Sequence, residues 1–326
     1  MTPSTFRQQQ TMAEYKSRIN RVLDYIDAHL DRNFTLDELA AIASFSKYHF
    51  HRIFLSFMDE PLFQFIQRIR LERAAALLSS RPDKSITEIA LDCGFGGSAA
   101  FARRFREKFD MSASQWRRQY PSGLERVAAQ NSNTDQMLRN QHQASLPNSP
   151  YITTELTATR EDQETLNKGV DVTLLPDQTV AYVRYMGPFK GDAGLFARLF
   201  GQLTRWAKPR DLLRIPDAKF FIIVHDIPEL TPDKKLRVSV CLTVPADTTV
   251  SGEIGKMTVP GGKYAMARFE LRIDQYPAAW TWLFAKWLPH SGYLPDDRPS
   301  FEMYDAVAEP SGGIERVVIC LPVKPL

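Results

Sequence analysis

The chain has 326 residues, a net charge of +3, 44% hydrophobic and 24% charged residues. That length exceeds one ordinary domain, and the composition excludes a disordered or fibrous chain, so two globular domains, each with its own core, are expected. Three cysteines (Cys93, Cys241 and Cys320) are too few and too scattered for a disulfide framework or a zinc site, and they point to a reducing compartment.

Residues 1–14 carry no apolar core of a signal peptide and are expected to be disordered. A first helix follows, with Ile19, Val22, Leu23, Ile26 and Leu30 on one stripe. Thr35, with Glu38 three residues on, has the form of a capping box, and Leu36, Leu39, Ala40 and Ala43 make the buried face of the next helix. After a turn at Ser44-Phe45, Ser46 caps a helix to about Met58. Pro61 opens a longer helix to about Ser79, with Phe65, Ile69, Ala76 and Leu77 facing a core. Ser85 and Glu88 repeat the capping signature, Gly94 ends that fifth helix, and Ser98–Phe109 is the sixth. A short helix from Ser112 or Ser114 through Trp116 precedes Pro121, which closes a domain spanning 15–121.

Within this domain one device is written twice, over residues 36–57 and 86–109. Each copy is a short amphipathic helix, a tight turn and a second helix ending in Arg-x-Phe (Arg52-Ile-Phe54 and Arg103-Arg-Phe105). That is a helix-turn-helix, whose second helix can lie in the major groove of DNA. Residues 1–121 hold 18 Lys/Arg against 14 Asp/Glu, so the small positive excess lies on this part.

Residues 122–169 are polar, with Gln130–Gln136 and Asn140–Gln143 as the plainest stretches. They read as a mobile linker, helical near 124–129 and 152–158. From 170 to 326 the period alternates. Strands are expected at Val180–Tyr185, Phe220–Val224, Leu236–Val244, Lys263–Glu270, Ser300–Tyr304 and Val317–Leu321, with helices at Asp192–Lys208 and Tyr276–Trp287. Strand, helix, strand, strand thus occurs twice, with a period near 84 residues set by Pro176 and Pro260. Such copies meet at a pseudo-twofold seam, and seams hold pockets. The whole is α+β: an all-α domain with two helix-turn-helix units, then a duplicated α+β domain.

The stretches Ser46-Lys-Tyr-His-Phe-His-Arg-Ile-Phe54, Ile89-Ala-Leu-Asp-Cys-Gly-Phe95 and Phe101-Ala-Arg-Arg-Phe-Arg-Glu-Lys-Phe109 resemble the AraC/XylS family of transcription regulators over about residues 15–120. The resemblance implies two helix-turn-helix units joined by a rigid helix at about Pro61–Ser79. Asp59 and Asp110 stand where that family commonly has glycine, at a position favouring positive φ, which aspartate tolerates better than most residues. Val180–Phe189, Pro260–Ala265, Trp287–Tyr293 and Phe301–Asp305 resemble the GyrI-like small-molecule-binding domains over about 170–325. The second copy has Glu270-Leu-Arg-Ile in place of that family's His-x-Gly-Pro.

On the first recognition helix, Phe50, Ile53, Phe54 and Phe57 form the buried face, leaving Lys47, Tyr48, His51 and Arg52 to meet DNA. Arg52 can reach guanine O6 and N7, while His51 and Tyr48 can contact base edges or phosphates. The alternative is that Lys47 and Arg52 are only solvated or ion-paired. On the second, Phe101, Phe105 and Phe109 are core, and Ser98, Ala99 and Arg103 face out. Arg103, Arg104 and Arg106 are expected to hold phosphates, so sequence choice falls mainly to the first unit.

In the C-terminal domain Glu302 and Tyr304 share one strand face, with Phe301 and Met303 on the other. A carboxylate among aromatic walls suits a flat lipophilic cation, and Trp206, Tyr264, Trp287 and Tyr293 are the candidate walls. Ordinary core packing is the alternative for each aromatic. The expected partners are double-stranded DNA, a small-molecule effector and RNA polymerase. No cofactor, catalytic residue or metal is expected, and a cytoplasmic location without membrane contact follows from the lack of a long apolar stretch. Two other readings stay open: hydrolysis of a small electrophile with Glu302 as base, and a protein-docking module.

Overall fold

The computed structural model describes residues 3–120, 167–214, 218–227, 230–272, 275–305 and 315–325. The linker expected at 122–169, with its two helical stretches, lies outside the described residues except for its last three, which are already strand.

The N-terminal domain is seven helices: α1 (Pro3–Ala28), α2 (Leu36–Ile42), α3 (Lys47–Met58), α4 (Leu62–Ser80), α5 (Ile86–Asp92), α6 (Ser98–Phe109) and α7 (Ala113–Gln119). The expected disorder of residues 1–14 is corrected: helix runs from Pro3. Proline suits a first helical position, and the following Gln, Met, Ala and Glu are strong helix formers without a breaker.

Each helix-turn-helix unit has its own core. Ile19, Val22, Leu23 and Ile26 pack with Leu39, Ala40, Phe50, Phe54 and Phe65 in the first. Leu71, Leu78, Ile89, Ala90, Phe101 and Phe105 make the second, so α4 serves both. Ser85 and Glu88 close a full capping box, as do Ser112 and Gln115. Thr35 closes only half of one, because the Glu38 carboxylate accepts from Tyr25 and Arg32 instead. Asp59 and Asp110 end α3 and α6 with φ of 48° and 55°, the left-handed exit expected at both. Gly94, at φ 77°, has no room for a Cβ beside the Leu30 carbonyl and the Arg70 guanidinium.

The C-terminal domain is one curled antiparallel sheet under two helices. Its strands are β1 (Asn167–Leu175), β2 (Gln178–Met186), β3 (Lys219–Val224), β4 (Arg237–Thr243), β5 (Gly255–Val259), β6 (Gly262–Leu271), β7 (Tyr293–Pro295), β8 (Phe301–Asp305) and β9 (Glu315–Pro325). Their order is β1-β6-β9-β8-β3-β4-β2-β5, with β7 on β9. The helices are α8 (Ala193–Ala207), capped by Asp192, and α9 (Tyr276–Trp282), continued by a wider turn over Leu283–Trp287. The duplication holds, with one addition. Each copy begins with an extra strand that pairs with the other copy: β1 precedes β2 but joins β6, and β5 precedes β6 but joins β2. The copies meet where β3 of the first pairs with β8 of the second.

Alternation along the strands gives the sheet two faces. Ala181, Val183, Ile222, Val240 and Leu242 pack under α8, and Ala267, Phe269, Ile319 and Leu321 with α9 residues. The opposite face carries Tyr182, Phe221, Cys241, Tyr264, Phe301 and Cys320. Its β2–β4 end is covered by α1 and α4 of the other domain. There Asp24 accepts from Tyr182 at 2.5 Å and Arg184 at 2.7 Å, and Arg237 binds Asp27 at 2.8 Å. Cys93, Cys241 and Cys320 are buried free thiols.

Candidate DNA and effector sites

The buried faces of α3 and α6 decide what they present outward. With Phe50 and Phe54 inside, Lys47, His51 and Arg52 are exposed on α3, and Leu55 continues the same stripe. The Tyr48 side chain lies outside the described residues. On α6, Phe101 and Phe105 are inside and Ser98, Ala99, Arg103, Arg104 and Arg106 are exposed. Lys47 has an exposed ion pair with Asp37 at 3.6 Å, and Arg103 and Arg104 share Glu107 at 3.9 and 3.3 Å. These surface pairs are weak and can be exchanged for phosphate. The C-terminal domain sits on α1 and α4, so it leaves these outward stripes exposed.

Glu302 stands on β8 at the seam, opposite Ile222 of β3. Its Oε1 accepts from the Trp280 indole at 2.9 Å, and its Oε2 lies 2.8 Å from the Tyr304 hydroxyl. Tyr304 is 3.1 Å from the Tyr276 hydroxyl, which donates to Glu315 at 2.6 Å. Packing around the Glu302 carboxyl strips its water and raises its pKa, and the Glu315 charge adds to this; the Trp280 and Tyr304 hydrogen bonds oppose it. Three oxygen–oxygen contacts run from Glu302 to Glu315, and the two tyrosines supply two protons. The Tyr304 hydroxyl faces both the Glu302 carboxyl and the Tyr276 oxygen, so its single proton serves one of them at a time.

Around this group, Phe200 meets Tyr304 edge-on at 6.2 Å, and Trp287 and Tyr293 pack on the cluster that holds Trp280 and Tyr304. Trp206 packs on the α8 cluster with Phe200 and Tyr304, with Arg210 over its ring at 5.0 Å. Its indole nitrogen is buried without an acceptor among the described residues. Tyr264 is corrected: it lies on the opposite sheet face, against Phe301, and its hydroxyl donates to the Pro260 carbonyl. Tyr264 and Phe301 are inward on that face, so Tyr264 cannot wall a site at Glu302. A separate cavity of about 620 Å³ opens between α1, α8 and β2. Its lining includes Lys16, Arg198 and Arg205 against one carboxylate, Glu253, which does not suit a cation.

Comparison with known proteins now decides the lineage. Residues 39–119 match a helix-turn-helix domain family, and residues 170–324 match the GyrI-like small molecule binding domain. Over 99 residues the chain is 31% identical to the regulatory protein SoxS of Salmonella typhimurium, covering 30% of this chain and 92% of SoxS. The chain belongs to the AraC family of transcription regulators.

Over 103 residues this AraC-type regulator is also 32% identical to the uncharacterized HTH-type transcriptional regulator YbfP of Bacillus subtilis, covering 32% of this chain. It spans only about a third of YbfP (35%) and about a sixth (16%) of a second relative, SACOL0084 of Staphylococcus aureus. Among solved structures, the DNA-binding domain of AdpA in complex with a target DNA is similar at 28% identity, over 36% of this chain and 99% of that one, with a TM-score of 0.32. The C-terminal domain of EcmrR is similar at 21% identity, over 48% and 98%, with a TM-score of 0.38. The helix-turn-helix match lies in the N-terminal domain, and the GyrI-like domain follows it. No helix among the described residues is long and apolar enough to cross a membrane.

Sequence reading missed two hydrogen-bond partners of the Glu302–Tyr304 pair, Trp280 and Tyr276. Both lay in a helix whose aromatics looked like core, and only the positions of Glu302 and Tyr304 on the facing strand reveal their hydroxyl and indole groups as partners.

Proposed function

We propose that this AraC-type regulator senses a small lipophilic cation at Glu302 and couples its binding to transcription, with RNA polymerase as the protein partner on DNA. The observation that carries the reading is the carboxyl at the seam with, among the described residues, only neutral donors, Trp280 and Tyr304, in direct hydrogen bonds to it. Burial without a counter-ion raises the pKa of this carboxyl, so a proton and an incoming cation compete for it. A flat cation that stacks on Trp280, Phe200 and Trp287 displaces that proton and gains both the ring faces and the charge. Catalysis is the weaker alternative, since among the described residues no histidine or cysteine hydrogen-bonds Glu302 to share a reaction.

Coupling has a short route. Glu302 pairs across β8–β3 with Ile222, and β3 leads directly into the segment that meets the DNA-binding domain at His225 and Asp226. A ligand shifts DNA affinity only as far as it binds the competent and incompetent states unequally. The test is a thermal-shift panel on the full chain with lipophilic cations, neutral isosteres and anions. Stabilisation confined to cations supports the reading; equal response to neutral isosteres rejects it.

DNA recognition divides between the two helices. Arg52→Ala relaxes choice at one base pair, at a cost of about 1–3 kcal/mol. Arg103→Ala weakens binding to all duplexes alike. Selection from a random duplex pool with each variant distinguishes them, and a reversed outcome would overturn the division.

A further inference from the structure

The described residues between β3 and β4, 225–227 and 230–236, pack against the DNA-binding domain and touch both helix-turn-helix units. At the first unit, Lys235 binds Glu60 at 2.9 Å, one residue past the left-handed exit of α3 at Asp59. At the second, the Thr231 hydroxyl donates to Glu72 at 2.7 Å. The other oxygen of Glu72 accepts from Lys108 at 2.8 Å, in the last turn of α6. Leu230 packs on the core of the same unit. Between the two contacts stands Arg68 of α4, which binds both Glu60 at 3.0 Å and Glu72 at 3.1 Å, with Asp226 at 3.9 Å. Arg237 closes the segment against Asp226 and lies 5.2 Å from the Phe65 ring.

We propose that residues 230–237 are a positioning element of the DNA reader: Lys235 and Thr231 brace the ends of α3 and α6 and thereby fix the spacing at which the two recognition helices meet successive grooves.

The physical ground is the following. Two helices that must enter successive grooves pay for any looseness between them, because only one relative placement satisfies both. Within the N-terminal domain, α4 and the close approach of Gly94 to the Leu30 carbonyl join the units, and the Arg68 and Glu72 side chains lie on the back of α4. Those carboxylates and that guanidinium are buried, so each must keep its partners, and the segment supplies two of them in Thr231 and Lys235. The brace concerns helix placement and stands whether or not Glu302 binds a cation.

The test uses the full chain. A duplex selected from a random pool by the wild-type protein is compared with the same duplex carrying one inserted base pair between the two protected stretches. The wild type loses on the order of tenfold or more on the insertion, comparable to one strong mismatch. Thr231→Val with Lys235→Met binds the selected duplex more weakly and loses less than about twofold on the insertion, whereas Lys235→Arg behaves as wild type. A second readout needs no DNA. Spin labels on Ser56→Cys and Ala99→Cys, both exposed, report the distance between α3 and α6, the native thiols being buried. The distance distribution is narrow in wild type and broad in the double variant. An unchanged insertion penalty together with an unchanged distribution would overturn the proposal.

Discussion

Two buried groups of charge in the C-terminal domain look alike in composition and differ in what balances them. On the face turned to the DNA-binding domain, Arg237 is 1% exposed and forks onto Asp226 through two bonds of 2.9 Å, with Asp27 beyond at 2.8 Å. On the other face, Glu302 has an indole and a phenol and, among the described residues, no cation. Opposite charges in contact cancel each other's cost of leaving water, and the set becomes structural. A carboxyl given only neutral donors can stay buried by keeping its proton, and it remains open to an incoming cation. The neutral His225 beside the first cluster fits the same rule: burial first, then Arg184 and Arg237, hold its pKa well below the ordinary histidine value.

The largest effect that could break this contrast is on the paired side. Asp226→Ala leaves Arg237 buried with only Asp27, and costs about 3–5 kcal/mol in denaturant unfolding. Replacing both partners, with Asp226→Leu and Arg237→Met, recovers most of that loss; if the double change is as damaging as the single one, the pair does more than cancel itself. On the unpaired side Glu302→Gln leaves folding nearly intact but lowers affinity for a lipophilic cation about ten- to a hundredfold, measured by calorimetry. Affinity within a few per cent of wild type would remove Glu302 from the site.

How much of this was visible in the chain follows from periodicity and partners. The helices of the N-terminal domain and the six main strands were legible because one face of each is buried and the other is not, as with Phe50 and Phe54 or Phe101 and Phe105. The left-handed exits at Asp59 and Asp110 were legible from backbone chemistry. The strand exchange of β1 and β5 was not, since pairing across copies leaves no local mark. The interdomain cluster was also hidden. Asp24, Asp27, Glu60, Arg68 and Glu72 carry no pattern that marks them as buried, and the available signal was the company of Arg184 and Arg237 in otherwise apolar strands. Glu302 was found by the same signal, an acid between Phe301 and Met303. Tyr264 was misplaced because aromatic content says nothing about which sheet face a residue occupies.

The smallest effect is the most specific to the unpaired side. Because the folded protein holds the Glu302 proton more tightly than the unfolded chain does, stability falls as pH rises from the ordinary carboxylate value through the raised one. Cation binding runs the other way and strengthens over that window, since it needs the carboxylate. Glu302→Gln flattens both slopes. Tyr304→Phe removes a donor that favours the carboxylate, so it costs only about 1 kcal/mol of stability and moves the midpoint of cation binding to higher pH. A midpoint that moves down, or stays in place, would mean that the Tyr304 hydroxyl does not donate to Glu302.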